Sequence, residues 1–336
     1  MKVALIICTY QRPIPIVTLL HSVKKQTRQP DRIIIVDGSL DNASELTLQK
    51  ENFQDVSYYR VNAEQRGLTK QRNYGIDKVN DAIDIVCFLD DDTVLEPMYF
   101  EALIDTYKVH PEALGVGGYI INEINWKKVD TSFKPTIHQF LYDGYVRSDG
   151  SRFVLRKKLG LDADRQPGFL PTFSHGRSVS FLPPSGKTYQ VEQFMGGVAS
   201  YRLSALRSQR FSEYFEGYGL YEDADFTLRL SKKGALYVNT NAQLHHYHDP
   251  DGRPNKFSYG KMVIRNGWYI WRVRYPNPKW IARIKWNATA ALLTLIRFTN
   301  VLTKNKKIRT EAFTEASGRV AGWFSLLVNK PKIKDE

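Results

Sequence analysis

Cysteine is nearly absent from this 336-residue chain, and the two present, Cys8 and Cys87, each sit inside an apolar, strand-like run. Two such residues make no disulfide framework and are expected as buried thiols in a reducing compartment. Long apolar runs are missing as well. The strongest, NATAALLTLIRFTNVL (287–302), is interrupted by Arg297 and falls short of the roughly 18 residues a spanning helix needs. No small-residue cleavage site follows VALIIC in the opening MKVALIICTYQRP, so that stretch is expected to be a strand rather than a signal peptide.

What is present is an ordinary globular composition. With 42% hydrophobic and 12% aromatic residues, the chain can bury a sizeable core in one large domain or two modest ones. Charge is distributed unevenly. Residues 256–336 hold seventeen Lys and Arg against four acids and so carry the whole net charge of +13, while the first 255 residues are formally neutral. A basic end on a neutral body points to an anionic surface for that end alone. Nucleic acid is not expected there, because no recognisable binding module accompanies the charge.

The first ninety residues alternate in period. VALIICTY (3–10), RIIIVDGS (32–39), VSYYRV (56–61) and AIDIVCFLD (82–90) are expected as strands. Helices are expected over Pro13 to Lys25, Asp41 to Lys50 and Gly67 to Val79. Strands nearly continuous in Val, Ile and Leu between helices imply a mainly parallel α/β sheet covered on both faces. Ligands of such sheets bind beyond the carboxyl ends of the strands. There the chain places Thr9-Tyr10-Gln11-Arg12, Asp37-Gly38-Ser39 and Asp90-Asp91-Asp92.

An acidic triplet after a strand can be a solvated loop start or a helix cap. Like charges this close repel, however, unless a cation or hydrogen bonds compensate them. Mg²⁺ and Mn²⁺ prefer carboxylate oxygens and are commonly shared with substrate phosphates. Further along, YEDADFTLRL sets Glu222, Asp223 and Asp225 in the first turn of a helix-like segment, where acids also suit the helix dipole. LHHYH places His246 and His248 on one face of a strand and His245 on the other.

CTYQRP, VDGSLDNAS, QRGLTKQRNYGI, FLDDDTV, FMGGVASYRLSAL and YEDADFTLRLSKKG followed by LHHYH resemble, in order and spacing, the successive motifs of the family 2 glycosyltransferases. The resemblance runs from Met1 to about His248. It implies a GT-A fold, a Rossmann-like mainly parallel sheet with helices on both faces, together with a nucleotide-sugar donor (UDP- or dTDP-linked), Mn²⁺ or Mg²⁺, and inverting transfer to an acceptor hydroxyl. In the same terms Asp90 lies near the donor ribose and the metal, Asp91 between, and Asp92 on the metal, with His246 as third ligand and His248 as the fallback. Thr9, Tyr10, Arg12 and Asp37 hold the nucleotide, with Arg66 and Arg72 on the next donor-side segment, whose usual leading Asn is replaced here by Gln65 or Arg66. Asp223 matches the general base, with Glu222 beside it. Gly196 and Gly197 are expected to permit close backbone approach to sugar or acceptor.

The expected organisation is a catalytic domain over 1–255, with 122–193 as an acceptor-side insertion, followed by a basic, aromatic helical extension over 256–336. In that extension Trp268, Tyr269, Trp271, Trp280 and Trp286 alternate with basic residues, which fits a helix lying in a membrane interface. The acceptor is expected to be a glycan or lipid-linked molecule of cell-surface polysaccharide synthesis, and the protein cytoplasmic, peripheral on the inner face of an anionic membrane. RNGWYIWR and GRVAGW lean toward rhamnosyltransferase-like members. Processive synthases are disfavoured, since Q-x-x-R-W is missing. The rivals are a nucleotidyltransferase, which would want a glycine-rich phosphate loop where CTYQRP stands, and a non-catalytic basic surface-binding protein of the same fold.

Overall fold

The computed structural model describes residues 1–53, 56–123, 125–173, 175–247 and 254–333. The chain divides into two compact units, one of residues 1–124 and 178–252 and the other of 125–177 and 253–336. The stretch 122–193 is thus shared out, its larger part joining the C-terminal helices.

In the first unit β1 (Val3–Thr9), α1 (Pro13–Lys24), β2 (Arg32–Asp37), α2 (Ala43–Lys50), β3 (Val56–Arg60), α3 (Leu68–Asp77) and β4 (Ile85–Asp90) alternate as the apolar periodicity requires. β5 (Thr93–Leu95), α4 (Tyr99–Val109) and β6 (Ala113–Ile120) follow. β1 pairs in parallel with β2 and β4, and β2 with β3. The alternation of side chains along β1 divides the core between two faces. Val3, Leu5 and Ile7 join Ile16, Leu19, Leu20 and Val23 of α1 and Leu103 of α4 in one buried cluster. Ile6 faces the other way, toward α3. A Cβ on Gly75 would lie 2.7 Å from the Ile6 side chain, so glycine there lets α3 seat tightly on the sheet. Each fully buried Ile or Leu in these layers contributes on the order of 1.5–3 kcal/mol.

The second unit begins with a small antiparallel sheet of β7 (Lys127–Lys128), β8 (Gln139–Tyr142) and β9 (Tyr145–Ser148), followed by α5 (Ser151–Lys158). The chain then returns to the first unit for β10 (Thr188–Val191), β11 (Val198–Arg202), α6 (Leu203–Ser208), α7 (Glu222–Leu230) and β12 (Ala235–His246). These complete a sheet of order β10-β12-β6-β11-β4-β1-β2-β3, with β5 on β12. β11 runs antiparallel between β4 and β6, and β12 is parallel to β6.

The second unit ends in α8 (Lys256–Arg274), α9 (Trp280–Thr299) and α10 (Lys306–Val328). Glycine sets how closely two of them approach. A Cβ on Gly260 of α8 would lie 2.1 Å from the Glu315 carbonyl oxygen, and one on Gly318 of α10 the same distance from that of Phe257. Among the described residues no helix is long and apolar enough to cross a membrane.

Candidate active site

The parallel register places Thr9 beside Asp37 and Cys8 beside Asp90. Three polar strand ends therefore share one edge of the sheet, as the sequence pattern predicts. Around them the chain is held by side chains that bond to backbone. Gln71 donates to the carbonyls of Thr9 and Val36 at 3.0 and 2.8 Å, tying the ends of β1 and β2 together. Gln11, in the left-handed region at φ 55°, donates its amide to Ser39 Oγ at 2.7 Å. That turn brings Arg12 over the triplet, while Tyr10 stays partly exposed. Arg66 donates Nε to the Gly38 carbonyl at 2.6 Å.

The three aspartates split by direction. Asp91 is buried, accepting from Thr9 Oγ1 at 2.6 Å and from Arg12 at 3.0 Å. Burial pushes its carboxyl up to about 6, against the pull of the Thr9 hydroxyl and the Arg12 guanidinium. Asp90 and Asp92 converge instead on His246, with ligand atoms of all three within 4.8 Å of one another. His246 Nε2 lies 3.0 Å from Asp92 Oδ1. Burial lowers the imidazole pKa, but the hydrogen bond to Asp92 and the charges of Asp90 and Asp92 outweigh it, so the net shift is upward. The pairing of β12 with β5, His246 beside Thr93, delivers the imidazole to the triplet. His245 points the other way, to Glu96 at 3.0 Å, as strand alternation requires. His248 lies outside the described residues.

Two carboxylates and one imidazole form a hard-to-borderline donor set that suits Mn²⁺ or Mg²⁺. The residues present therefore fit a divalent cation.

Asp37 is fully buried, accepting from the Ser39 amide and the Tyr58 hydroxyl at 2.7 Å each. Arg72 is buried between two acids. It donates to Glu222 Oε1 at 2.5 Å and lies 3.7 Å from Asp90 Oδ1. Burial raises the Glu222 pKa, and the adjacent Arg72 guanidinium pulls against it. Asp223 is half-buried and takes the Gly196 amide at 3.2 Å. Burial shifts its carboxyl upward, opposed by the Ala224 and Gly196 amides. Tyr221, in the left-handed region at φ 70° immediately before α7, turns the chain so that both acids enter the first helical turn. Asp225, fully buried, holds Arg229, which reaches the Arg210 carbonyl.

Gly196 and Gly197 join these parts. A Cβ on Gly197 would lie 2.0 Å from Asp90 Oδ2, and one on Gly196 2.6 Å from Arg72 Nη1. The close approach these glycines permit is thus to Asp90 and Arg72. Gly197→Ala is expected to displace the Asp90 carboxylate and weaken Mn²⁺ binding at this fitting site about tenfold, on the scale of one lost charge-assisted contact. Unchanged binding by titration calorimetry would remove Asp90 from the site.

Two contributors carry no local sequence signal. Asn122 exchanges hydrogen bonds with the His246 backbone at 2.9 and 3.0 Å. Tyr58 supports Asp37. A mid-strand tyrosine and an isolated asparagine are uninformative until the tertiary partner is known. Asn73, on the donor-side segment, pairs with the Phe211 backbone instead.

The arrangement defines a class: an α/β protein with an acidic, metal-fitting site at the carboxyl edge of its parallel strands. Residues 4–160 match the family model described as glycosyl transferase family 2, and the mainly parallel α/β sheet is consistent with a GT-A fold. Over 126 residues it is 34% identical to the glucosyl-dolichyl phosphate glucuronosyltransferase of Haloferax volcanii. That stretch is 36% of this chain and 39% of the relative, so the chain matches well under half of the relative's length. Glu222, Asp223 and His246 lie beyond residue 160; their place at the site is seen from α7, β12 and the Gly196–Gly197 turn.

Proposed function

We propose that this protein transfers a sugar from a nucleotide-sugar donor to an acceptor hydroxyl by a single, inverting displacement that requires a divalent cation. The observation that carries the reading is the junction at Gly196–Gly197, where one turn touches both the metal-fitting acids, through Asp90, and the half-buried Asp223. Asp90, Asp92 and His246 would hold Mn²⁺ or Mg²⁺, which when bound neutralises charge on a leaving nucleoside diphosphate. Thr9, Tyr10, Arg12 and Arg66 line the nucleotide side. Asp91 fixes Arg12 from below, and Asp37 fixes the Gly38–Ser39 turn. Arg72, shared by Asp90 and Glu222, keeps the two halves in register. Asp223 accepts the acceptor hydroxyl proton at its carboxylate, a role suited to a carboxyl that is solvent-accessible and raised toward working pH.

Glu222 is buried and already committed to Arg72, which makes it a positioning residue. Glu222→Ala would leave the buried Arg72 with only the longer, partly exposed contact to Asp90 at 3.7 Å and is expected to cost about 3–5 kcal/mol of stability, the scale for one broken partner of a buried pair. Denaturant unfolding checks this, and a loss well under about 1 kcal/mol contradicts it.

The acceptor we propose is lipid-linked or a growing cell-surface glycan. The name of the Haloferax relative, which specifies a dolichyl-phosphate-linked sugar, supports the first. The C-terminal unit would meet an anionic membrane at the cytoplasmic face, supported by its net positive charge and by exposed Trp280, Leu295, Phe298 and Leu327. Screening nucleotide sugars with Mn²⁺ and candidate acceptors tests the activity. Release of a nucleoside diphosphate together with a glycosylated product is expected; release of a sugar 1-phosphate would instead establish nucleotidyl transfer.

A further inference from the structure

The tryptophans and arginines that alternate through the C-terminal sequence come together around a cavity of about 180 Å³ within the second unit. Trp268 and Trp271 of α8, Trp286 of α9 and Trp323 of α10 form its walls. Trp271 and Trp286 stack with centroids 5.7 Å apart. Arg272, Arg283 and Lys330 also line it.

Two features make this more than a gap between helices. First, its cations lack acidic partners. The two described acids of the C-terminal helices are engaged elsewhere, Glu311 with Lys256 and Glu315 with Arg297 and Arg319. Arg272 and Arg283 bond only to the carbonyls of Pro276 and Pro278 among the described residues. Burial first, and the neighbouring Arg283 charge second, push the Arg272 guanidinium below its ordinary pKa. Like charges gathered at a partly desolvated site are costly unless an anion joins them. Second, the indole N–H of Trp286, a residue only 2% exposed, has no acceptor, and the Arg272 Nε is likewise buried without one. A buried donor left unpaired costs about 1–3 kcal/mol, and such groups call for a water, ion or ligand.

Size and surroundings narrow the occupant. The volume equals about six waters at roughly 30 Å³ each and lies below the roughly 300 Å³ at which drug-sized pockets begin. It accommodates a phosphoryl group and a few attached carbons. Leu327, one of the lining residues, is 76% exposed, and Val328 beside it 91%, so the cavity borders apolar side chains open to the surroundings.

We propose that this tryptophan-walled cavity is a binding site for the phosphate headgroup of an anionic amphiphile, with Arg272, Arg283 and the Trp286 N–H on the phosphoryl oxygens and the tail leaving over Leu327. The proposal deepens the membrane reading of the C-terminal unit and rests on it for the source of the phosphate; it is independent of the transferase chemistry.

The test uses the full chain and follows tryptophan fluorescence and vesicle cosedimentation. Phosphatidylcholine vesicles carrying roughly a quarter phosphatidic acid are compared with vesicles made equally anionic by oleate, which lacks phosphate. Dihexanoyl phosphatidic acid and inorganic phosphate are titrated separately. The expected result is tighter binding to phosphatidic acid than to oleate vesicles, and to the short-chain lipid than to inorganic phosphate. Arg272→Gln/Arg283→Gln should weaken phosphatidic acid binding about tenfold or more, the scale of lost charge-assisted hydrogen bonds. Lys306→Gln/Lys307→Gln, the same loss of charge elsewhere on the unit, should weaken both vesicle types alike and by less. Trp286→Phe keeps charge and ring but removes the donor, and should lower phosphatidic acid binding several-fold while leaving oleate vesicles unaffected.

Equal effects of the two double substitutions, with no effect of Trp286→Phe, would overturn the site and leave only diffuse attraction to membranes. Equal affinity for inorganic phosphate and the short-chain lipid would overturn the amphiphile. Absence of binding to any vesicle or to the short-chain lipid would overturn both the site and the membrane reading, while metal-dependent sugar transfer would stand or fall separately.

Discussion

Asp223→Asn is expected to lower turnover by roughly two to four orders of magnitude, the usual scale for a lost general base, while nucleotide-sugar affinity stays near wild type. The substitution is nearly isosteric, and an amide oxygen can still accept the Gly196 N–H that Asp223 receives at 3.2 Å. What disappears is the capacity to take a proton. The wild-type pH profile should carry the same signature. A base works deprotonated, so activity should fall as pH drops through its pKa, and burial shifts the Asp223 carboxyl upward. The acid limb should therefore lie above the ordinary aspartate pKa of about 3.9. Single-turnover kinetics separates binding from chemistry. If Glu222→Gln shows the binding-without-turnover pattern and Asp223→Asn does not, the base is the neighbouring residue and the assignment here is wrong.

The second large effect is expected from Asp92→Asn, which should abolish donor binding and turnover together. Asp92 and His246 are in contact at 3.0 Å, and Asp90 completes the group from the end of β4. Replacing a charged ligand with a neutral amide removes a hard anionic donor from a three-residue set. It also removes the Asp92 charge and weakens the hydrogen bond that together help raise the His246 pKa, leaving Asp90 to act on the imidazole. His246→Ala should weaken the cation while retaining both carboxylates, giving a milder version of the same defect. Metal-dependent nucleotide binding that is unchanged in Asp92→Asn, measured by calorimetry, would sink the metal assignment.

How much of this was legible in the sequence follows from the range over which each feature is determined. Strand ends were legible because a buried parallel strand is an apolar run, and the point where it turns polar is the point where it leaves the sheet: Thr9, Asp37 and Asp90 are all found there. The opposite aims of His245 and His246 followed from alternation along one strand. The division of the Asp triplet was less accessible, since the turn from β4 into β5 and the demands of Thr9 and Arg12 decide that Asp91 is drawn inward. Gln71 looked like part of a donor-side segment, yet it ties β1 to β2, because its partners are backbone carbonyls distant in sequence. The grouping of 125–177 with the C-terminal helices and the cavity walled by tryptophans from three helices depend on contacts between segments that share no periodicity. Neither has a local signature.

The most direct measurement of the central claim, that Asp90, Asp92 and His246 hold a cation beneath a donor diphosphate, is calorimetric titration of the wild-type protein with UDP and dTDP in the presence of Mn²⁺ and again with chelator. The account predicts that one of the two nucleotides binds at least about tenfold more tightly with Mn²⁺, a difference of about 1.4 kcal/mol, that Asp223→Asn keeps this gain, and that Asp92→Asn loses it. Equal affinities with Mn²⁺ and with chelator in the wild-type protein would contradict it.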